Sequence, residues 1–415
     1  MTTNEELIKN YLLERAKGIM KAPKGKLKHP FFDPGTDYGG EQWDWDSCFE
    51  AQALFTAFDI FAEEELAEHG ITRENVTEHA RGCILNFLEA QEEDGYIPIL
   101  VCEGGLFEGY FEAEHRRGEP MNPAKLFCLA AYNTCRFMGD YVWLDAGRLI
   151  SYLDYFERNL YDAATGLFFF QDDIMVGIDN NPTVFFRNPR SCADIFLNSL
   201  MHEEYCSTAA ILEEQGDERA AAIRQKAEQL KAAVNREMWD DHDGLFYSQD
   251  LTRYQTPKKV KEVSFHSGLY PTWHSTPLKI RFWGCFMPMW AGLCSDEQAE
   301  RMSKHLTDND DILAVYGIRT CAKTEKMYSL EKSSNPSNWL GAVWVLANVL
   351  TWQGLVRCHQ AEAAGKLRTA TLELLGQNLK EHGEMYESYH PDTGEPMLYP
   401  GFLSLNMPVL EMLRE

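Results

Sequence analysis

The apolar positions of the chain follow a helical period in stretch after stretch. Apolar residues recur three and four apart in Leu7 to Met20, Asp46 to Ala62, Ala124 to Met138, Ala193 to Leu212 and Ala220 to Trp239. That spacing places them on one face of an α-helix. The same pattern predicts further helices at Val76 to Ala90, Tyr141 to Asn159, Asp296 to Leu306, Trp339 to Trp352, Ala361 to Leu379 and Phe402 to Arg414. No run alternates apolar and polar residues for long enough to predict a sheet. The expectation is an all-α chain of about a dozen helices.

A weak repeat organises these helices. Tyr161-Asp162-Ala163-Ala164-Thr165-Gly166-Leu167-Phe168 parallels Trp239-Asp240-Asp241-His242-Asp243-Gly244-Leu245-Phe246. Each is an acidic, glycine-bearing turn followed by a short apolar stretch. Related turns lie at Asp94-Gly95-Tyr96 and Pro391-Asp392-Thr393-Gly394, with fainter ones at Gly25 and Gly317, giving intervals of 70, 71, 78, 73 and 77 residues. Each interval fits one helical hairpin with its loops. Six hairpins predict an (α/α)6 toroid, with inner helices around a funnel and long catalytic loops gathered at one end. The alternative that the repeat leaves open is an α-solenoid that binds a protein.

Composition narrows the function. The 415 residues contain no Pro/Gly/Ser-rich linker, so residues 1–415 are expected to form a single catalytic domain. No apolar run approaches the roughly 20 residues of a membrane helix, and Met1 to Asn10 lacks the basic-then-apolar pattern of a secretory signal. The expected location is the cytoplasm. The eleven cysteines are scattered, none closer than the seven residues from Cys128 to Cys135, which points to reduced thiols rather than disulfides or a CxxC metal knuckle. A net charge of −25 with dispersed basic residues excludes nucleic acid and anionic membranes as partners. There is no Walker loop, GxGxxG, HExxH or GxSxG, and Asp308-Asn309-Asp310-Asp311 lacks EF-hand spacing, so neither cofactor nor metal is expected.

Three loops carry candidate chemistry. Tyr38-Gly39-Gly40-Glu41-Gln42-Trp43-Asp44-Trp45-Asp46 combines tryptophans, which stack on sugar faces, with carboxylates, which accept from sugar hydroxyls. Asp46 or Ser47 is equally suited to capping the following helix. From Gln171 to Asn198, Asp172, Asp173, Asp179, Asn180, Asn181, Arg187, Arg190 and Asp194 crowd among Phe185 and Phe186. A carboxyl among aromatics is raised in pKa and arrives protonated, as a general acid must. The bland reading of Asp179 is an Asx-turn. In Glu384 to Gly394, Glu387 lies between Tyr386 and Tyr389, whose hydroxyls are placed to orient a general base; its bland reading is a surface glutamate. Trp283 to Trp290 and Asn335 to Trp344 offer further aromatic walls.

At these residues the sequence resembles the bacterial members of glycoside hydrolase family 63, the compact mannosylglycerate and glucosylglycerate hydrolases and related trehalase-like glycosidases. Trp43-Asp44-Trp45-Asp46 is similar to that family's sugar-binding helix entry, Gly177-Ile178-Asp179-Asn180-Asn181-Pro182 to its general-acid loop, and Tyr386 to Gly394 to its general-base loop. The motifs occur in family order across nearly the whole chain. One departure is Trp339-Leu340-Gly341, where many members carry Trp-Arg-Gly. The resemblance implies an (α/α)6 fold and hydrolysis with inversion at the anomeric carbon.

The expectation is therefore an inverting, exo-acting α-glycosidase for a small α-glucoside or α-mannoside: glucosylglycerate, mannosylglycerate or a short α-gluco-oligosaccharide. Asp179 is its general acid and Glu387 its general base. Tyr38, Gln42, Trp43, Asp44, Asp46, Arg187, Arg190, Trp339 and Trp344 are the expected substrate-binding residues, and Arg187, Arg190 and Arg319 are placed to meet an acidic aglycone. Arginines on loops are, however, commonly solvated or paired. Two rival classes remain: a sugar epimerase using His202, His266, His274 or His305, and a non-catalytic helical scaffold.

Overall fold

The computed structural model describes residues 2–35, 38–251, 259–264, 273–331 and 335–414. Fourteen α-helices run through them. In order they are α1 (Asn4–Arg15), α2 (Asp44–Ile60), α3 (Glu63–Glu68), α4 (Arg73–Glu89), α5 (Gly105–Arg117), α6 (Phe127–Met138) and α7 (Ala146–Asn159). Then follow α8 (Ile195–Glu214), α9 (Ala220–Glu237), α10 (Met287–Trp290), α11 (Asp296–Thr307), α12 (Val345–Arg357), α13 (Ala361–His382) and α14 (Leu410–Leu413). Six two-stranded sheets and one of three strands, all of two-residue strands, join the loops.

Packing follows the apolar pattern of each helix. In α8 and α12 nearly every face is buried, as expected of helices apolar all round. In α9 burial is confined to a stripe through Ala220, Ile223, Ala227, Leu230 and Val234, which suits a helix with one face in solvent. The contacts close on themselves. Helix α2 packs on α6, α6 on α8, α8 on α10, α10 on α12, and α12 on the 3-10 turn Met407–Val409, which returns with α14 to α2. Outside this circuit, α4 packs on α2 and α6, α7 and α9 on α8, α13 on α12, and α1 and α11 on α13. Most buried apolar residues, from Ile8 to Leu413, form one continuous cluster, with a small satellite of Ile99, Leu100 and Cys102.

The six glycines of the sequence repeat all have positive φ: Gly25, Gly95, Gly166, Gly244, Gly317 and Gly394. Around Gly166, Tyr161–Asp162 pairs with Leu167–Phe168; around Gly244, Trp239–Asp240 pairs with Leu245–Phe246. The glycine amides donate to the carbonyls of Asp162 and Asp240, each at 2.8 Å. The aspartate carboxylates accept from the amides of Thr165 and Asp243 at 3.0 and 2.8 Å, which explains the acidic residue at the start of the turn. At Gly95 a Cβ would stand 2.1 Å from the Ser151 carbonyl oxygen, so only glycine fits. The hairpins are tied to the circuit by asparagines. Asn198 of α8 accepts from the Phe168 amide at 2.9 Å, and Asn348 of α12 from the Ile318 amide at 2.7 Å.

Several boundaries differ from the sequence-based expectation. The helix expected over Trp339 to Trp352 begins only at Val345, because Gly341 has φ +153 and Val343 bridges to Tyr389 in extended backbone. Of Phe402 to Arg414, only Met407–Leu413 is helical. Helix α5 went unpredicted, since its glycines and charges obscure the apolar period. Among the described residues no helix is long and apolar enough to cross a membrane. The eleven cysteines are free thiols.

Candidate active site

A cavity of about 480 Å³ lies where the N-terminal ends of α2 and α12 meet the loops around Tyr38, Asp179, Ser337 and Glu387. Its size is that of a small-molecule site. Trp45, Trp339 and Trp344 line it and belong to a cluster of stacked rings. Trp339 lies 4.0 Å from Trp344 at an interplanar angle of 10°, and 5.9 Å from both Trp45 and Trp283.

The entry to α2 is fixed by pairing of Gln42–Trp43 with Leu100–Val101. Strand alternation sends neighbouring side chains to opposite faces. Trp43 accordingly lines the cavity, edge-on to Tyr38 and Phe107, while Gln42 is fully buried away from it. Asp44 and Asp46, in the first turn of α2, both line the cavity. Asp44 forms a buried ion pair with Lys125, Nζ to Oδ2 3.1 Å. Asp46 accepts from Ser404 Oγ at 2.6 Å, and burial pushes its carboxyl up to about 7.

Asp179 sits in a loop held from two directions. On one side Lys125 Nζ donates to the Met175 carbonyl at 3.1 Å and Asn122 Nδ2 to that of Ile174 at 2.7 Å. On the other, Asn180 Oδ1 accepts from the Trp339 amide at 2.6 Å. Desolvation raises the Asp179 carboxyl above the ordinary range, against the lowering effects of hydrogen bonds from Ser337 and Asn335 and of the Lys125 charge. The Asx-turn in this loop belongs to Asn181, whose Oδ1 accepts from the Thr183 amide at 3.0 Å. Asp179 is thereby left facing the cavity.

Glu387 is buried at 4 % exposure and lines the same cavity. Its amide donates to the Tyr399 carbonyl at 3.0 Å, and its Oε1 accepts from the Tyr38 hydroxyl at 3.3 Å. The expectation that its sequence neighbours orient it needs correction. Tyr389 accepts from the Tyr386 amide at 2.7 Å and reaches Asn406 at 3.4 Å, whereas the tyrosine on Glu387 is Tyr38, 349 residues away in sequence. Tyr38 is itself positioned by Asp33, whose buried carboxylate accepts from the amides of Gly35 and Gly40 on either side of it.

Residues 39–402 match the mannosylglycerate hydrolase MGH1-like glycoside hydrolase domain. The chain belongs to this glycoside hydrolase family. A protein of Borreliella burgdorferi is 23% identical over 314 residues, 74% of this chain; the chain spans only 58% of that relative's length. Among solved structures, the mannosylglycerate hydrolase of Thermus thermophilus in complex with glucose superposes with TM-score 0.66 at 16% identity, over 97% of this chain and 99% of that one. The same enzyme has been solved with Tris and D-glycerate. Neutral trehalase of Saccharomyces cerevisiae superposes with TM-score 0.60 at 16% identity, over 93% of this chain and 73% of that one.

Of the residues singled out from its sequence, the glycoside hydrolase brings Asp179, Glu387, Tyr38, Trp43, Asp44, Asp46, Trp339 and Trp344 to one cavity. Three others are elsewhere. Gln42 donates to the Cys83 carbonyl at 2.9 Å and accepts from Asn86 at 2.9 Å, tying its strand to α4. Arg187 is paired with Asp250. Arg190 is exposed, lies over the Phe169 ring and donates to the Asn159 carbonyl. Arg319 is also diverted, buried between Asp392 and the Asp310 carbonyl. Asp194 caps α8 and accepts from Thr183 and Ser248, so its role is structural. Sequence reasoning missed Phe107, Lys125, Met175 and Ser404, each ordinary in its local context. The described histidines of the epimerase reading do not converge: His202 is buried in α8, His305 bonds the Asp243 carbonyl and His274 is exposed; His266 lies outside the described residues. Family membership removes the scaffold reading.

Proposed function

We propose that this glycoside hydrolase is an inverting, exo-acting α-glycosidase for small α-glucosides or α-mannosides, acting in the cytoplasm, with residues 1–415 as one (α/α)6 catalytic domain. The observation that carries the reading is a single cavity lined by two differently treated carboxyls. Asp179 is desolvated and raised toward its protonated form, and Glu387 accepts from the Tyr38 hydroxyl. A general acid must arrive protonated, and a general base must be held where it can reach the attacking water. Asp179 passes its proton to the glycosidic oxygen as the C–O bond breaks. Water attacks the anomeric carbon from the opposite face, and Glu387 takes the water's proton. The two carboxyl groups are expected to lie roughly 6.5–9.5 Å apart, leaving room for that water.

Asp44 and Asp46 would hold sugar hydroxyls, and Trp43, Trp339 and Trp344 the sugar's faces. Resemblance to solved structures named mannosylglycerate hydrolase and neutral trehalase, one of them holding glucose, supports a small glycoside as substrate. The closed circuit of packed helices supports the toroid. The test is a panel of α-glucosides, α-mannosides and α-glucan polymer. Release of monosaccharide from small glycosides, lost in Glu387→Gln, supports the reading; mid-chain cleavage of polymer, or a fully active Glu387→Gln enzyme, contradicts it.

A further inference from the structure

We infer that the leaving group this hydrolase accepts is uncharged, a polyol or a sugar, and that a carboxylate-bearing aglycone such as glycerate is disfavoured. The inference rests on the reading of Asp179 and Glu387 as the hydrolytic pair and specifies the other half of the substrate.

Five carboxyl side chains line the cavity, those of Asp44, Asp46, Asp173, Asp179 and Glu387, and among the described lining residues there is no arginine or lysine. The arginines that the sequence offers for an acidic group are committed elsewhere. Arg187 is paired with Asp250, Arg319 is buried against Asp392, and Arg190 is held over Phe169. Lys125, the cation whose charge is felt at Asp179, is 1 % exposed and engaged by Asp44 and the Met175 carbonyl. The N-terminal end of α2, where an anion would otherwise be favoured, already holds Asp44 and Asp46. A carboxylate entering this cavity loses its water, gains no described counter-charge, and meets acidic side chains. Trp43, Ile99, Phe107, Ile174 and Met175 supply apolar wall instead. A sugar or polyol, with hydroxyl donors for the carboxylates and C–H faces for the aromatics, satisfies both surfaces.

The test compares two substrates that differ in one group, a hydroxymethyl against a carboxylate: 2-O-α-glycosyl-glycerol and 2-O-α-glycosyl-D-glycerate, in glucosyl and mannosyl forms. The expected result is at least a tenfold higher kcat/KM for the glycerol compound, with the gap narrowing as salt is added. Equal or better turnover of the glycerate compound overturns the inference. If neither is turned over, competition by each compound against an aryl α-glycoside on the wild-type enzyme decides the question in its place: tighter binding of the glycerol form upholds the inference, tighter or equal binding of the glycerate form overturns it. Failure of the hydrolytic reading is separable, because it would appear as no aryl glycoside turnover, or as turnover that survives in Glu387→Gln.

Discussion

Lys125→Met should both destabilise the protein and slow its catalysis, because Lys125 joins the α2 entry to the acid loop. The two side chains of the Lys125–Asp44 pair are each 1 % exposed, with Nζ 3.1 Å from Oδ2; Asp44 Oδ2 also accepts from the Lys125 amide at 2.7 Å. Methionine keeps the packing of the stem and removes only the ammonium. Asp44 is then left buried with only the backbone amides of Trp45 and Lys125 where it had a counter-charge, and removing one partner of a buried pair costs about 3–5 kcal/mol. That is a fifth or more of the stability of a typical domain, about 5–15 kcal/mol.

The loss has a definite pH dependence. Burial already holds the Asp44 carboxyl above its ordinary range, and without Lys125 it rises further. A carboxyl raised in the folded state stabilises it below the unfolded value of about 3.9, and that contribution is lost as pH rises toward the folded value. The deficit of Lys125→Met relative to wild type should therefore be larger at about pH 8 than at about pH 5. Asp44→Asn added to Lys125→Met should recover part of the stability. It should not recover kcat, because the Met175 tether stays broken. Urea midpoints at the two pH values, with kcat on one α-glycoside, measure all of this. A loss below about 1 kcal/mol at both pH values, typical of a solvated pair, would refute the reasoning.

Asp179→Asn should lower kcat about 10²–10⁴-fold on substrates with poor leaving groups and far less on an activated aryl glycoside, measured by initial rates on the two classes. Activity at saturating substrate should fall on the alkaline side as Asp179 loses its proton, and that limb should be missing from the aryl glycoside profile of the variant. Asp46, Glu203 and Glu204 are each pushed up to about 7 by burial, so the folded state binds extra protons between about pH 4 and pH 7. Stability should fall across that window as pH rises, by up to about 1.4 kcal/mol per pH unit for each group, and Asp46→Asn should flatten the dependence of the urea midpoint.

How much of this was legible in the sequence depended on the range of the interaction. Helical periods and glycine turns are local. The turn glycines were readable down to Gly25 and Gly317, because each needs the left-handed region whatever surrounds it. Trp43, Asp44 and Asp46 were readable because aromatic and acidic residues rarely share a helix entry without a reason. Gln42 was misjudged within the same motif because the two-residue strand that turns it inward pairs with Leu100–Val101, far along the chain. The arginines failed for the same reason: the partners of Arg187 and Arg319 are 63 and 73 residues distant. Tyr38 could be picked as a pocket residue, but only the folded chain reveals that its hydroxyl meets Glu387. Lys125 carried no signal, since a lysine before a helix reads as surface until Asp44 is placed against it.

The central claim is that Asp179 and Glu387 act on opposite faces of one sugar, and the stereochemistry of the first product tests it most directly. Proton NMR during the first minutes of hydrolysis of an α-glycoside, at enzyme concentrations that outpace mutarotation, should show the β-anomer appearing first and the α-anomer only by later equilibration. Initial release of the α-anomer would mean retention, with the second carboxylate attacking carbon rather than activating water, and would contradict the account.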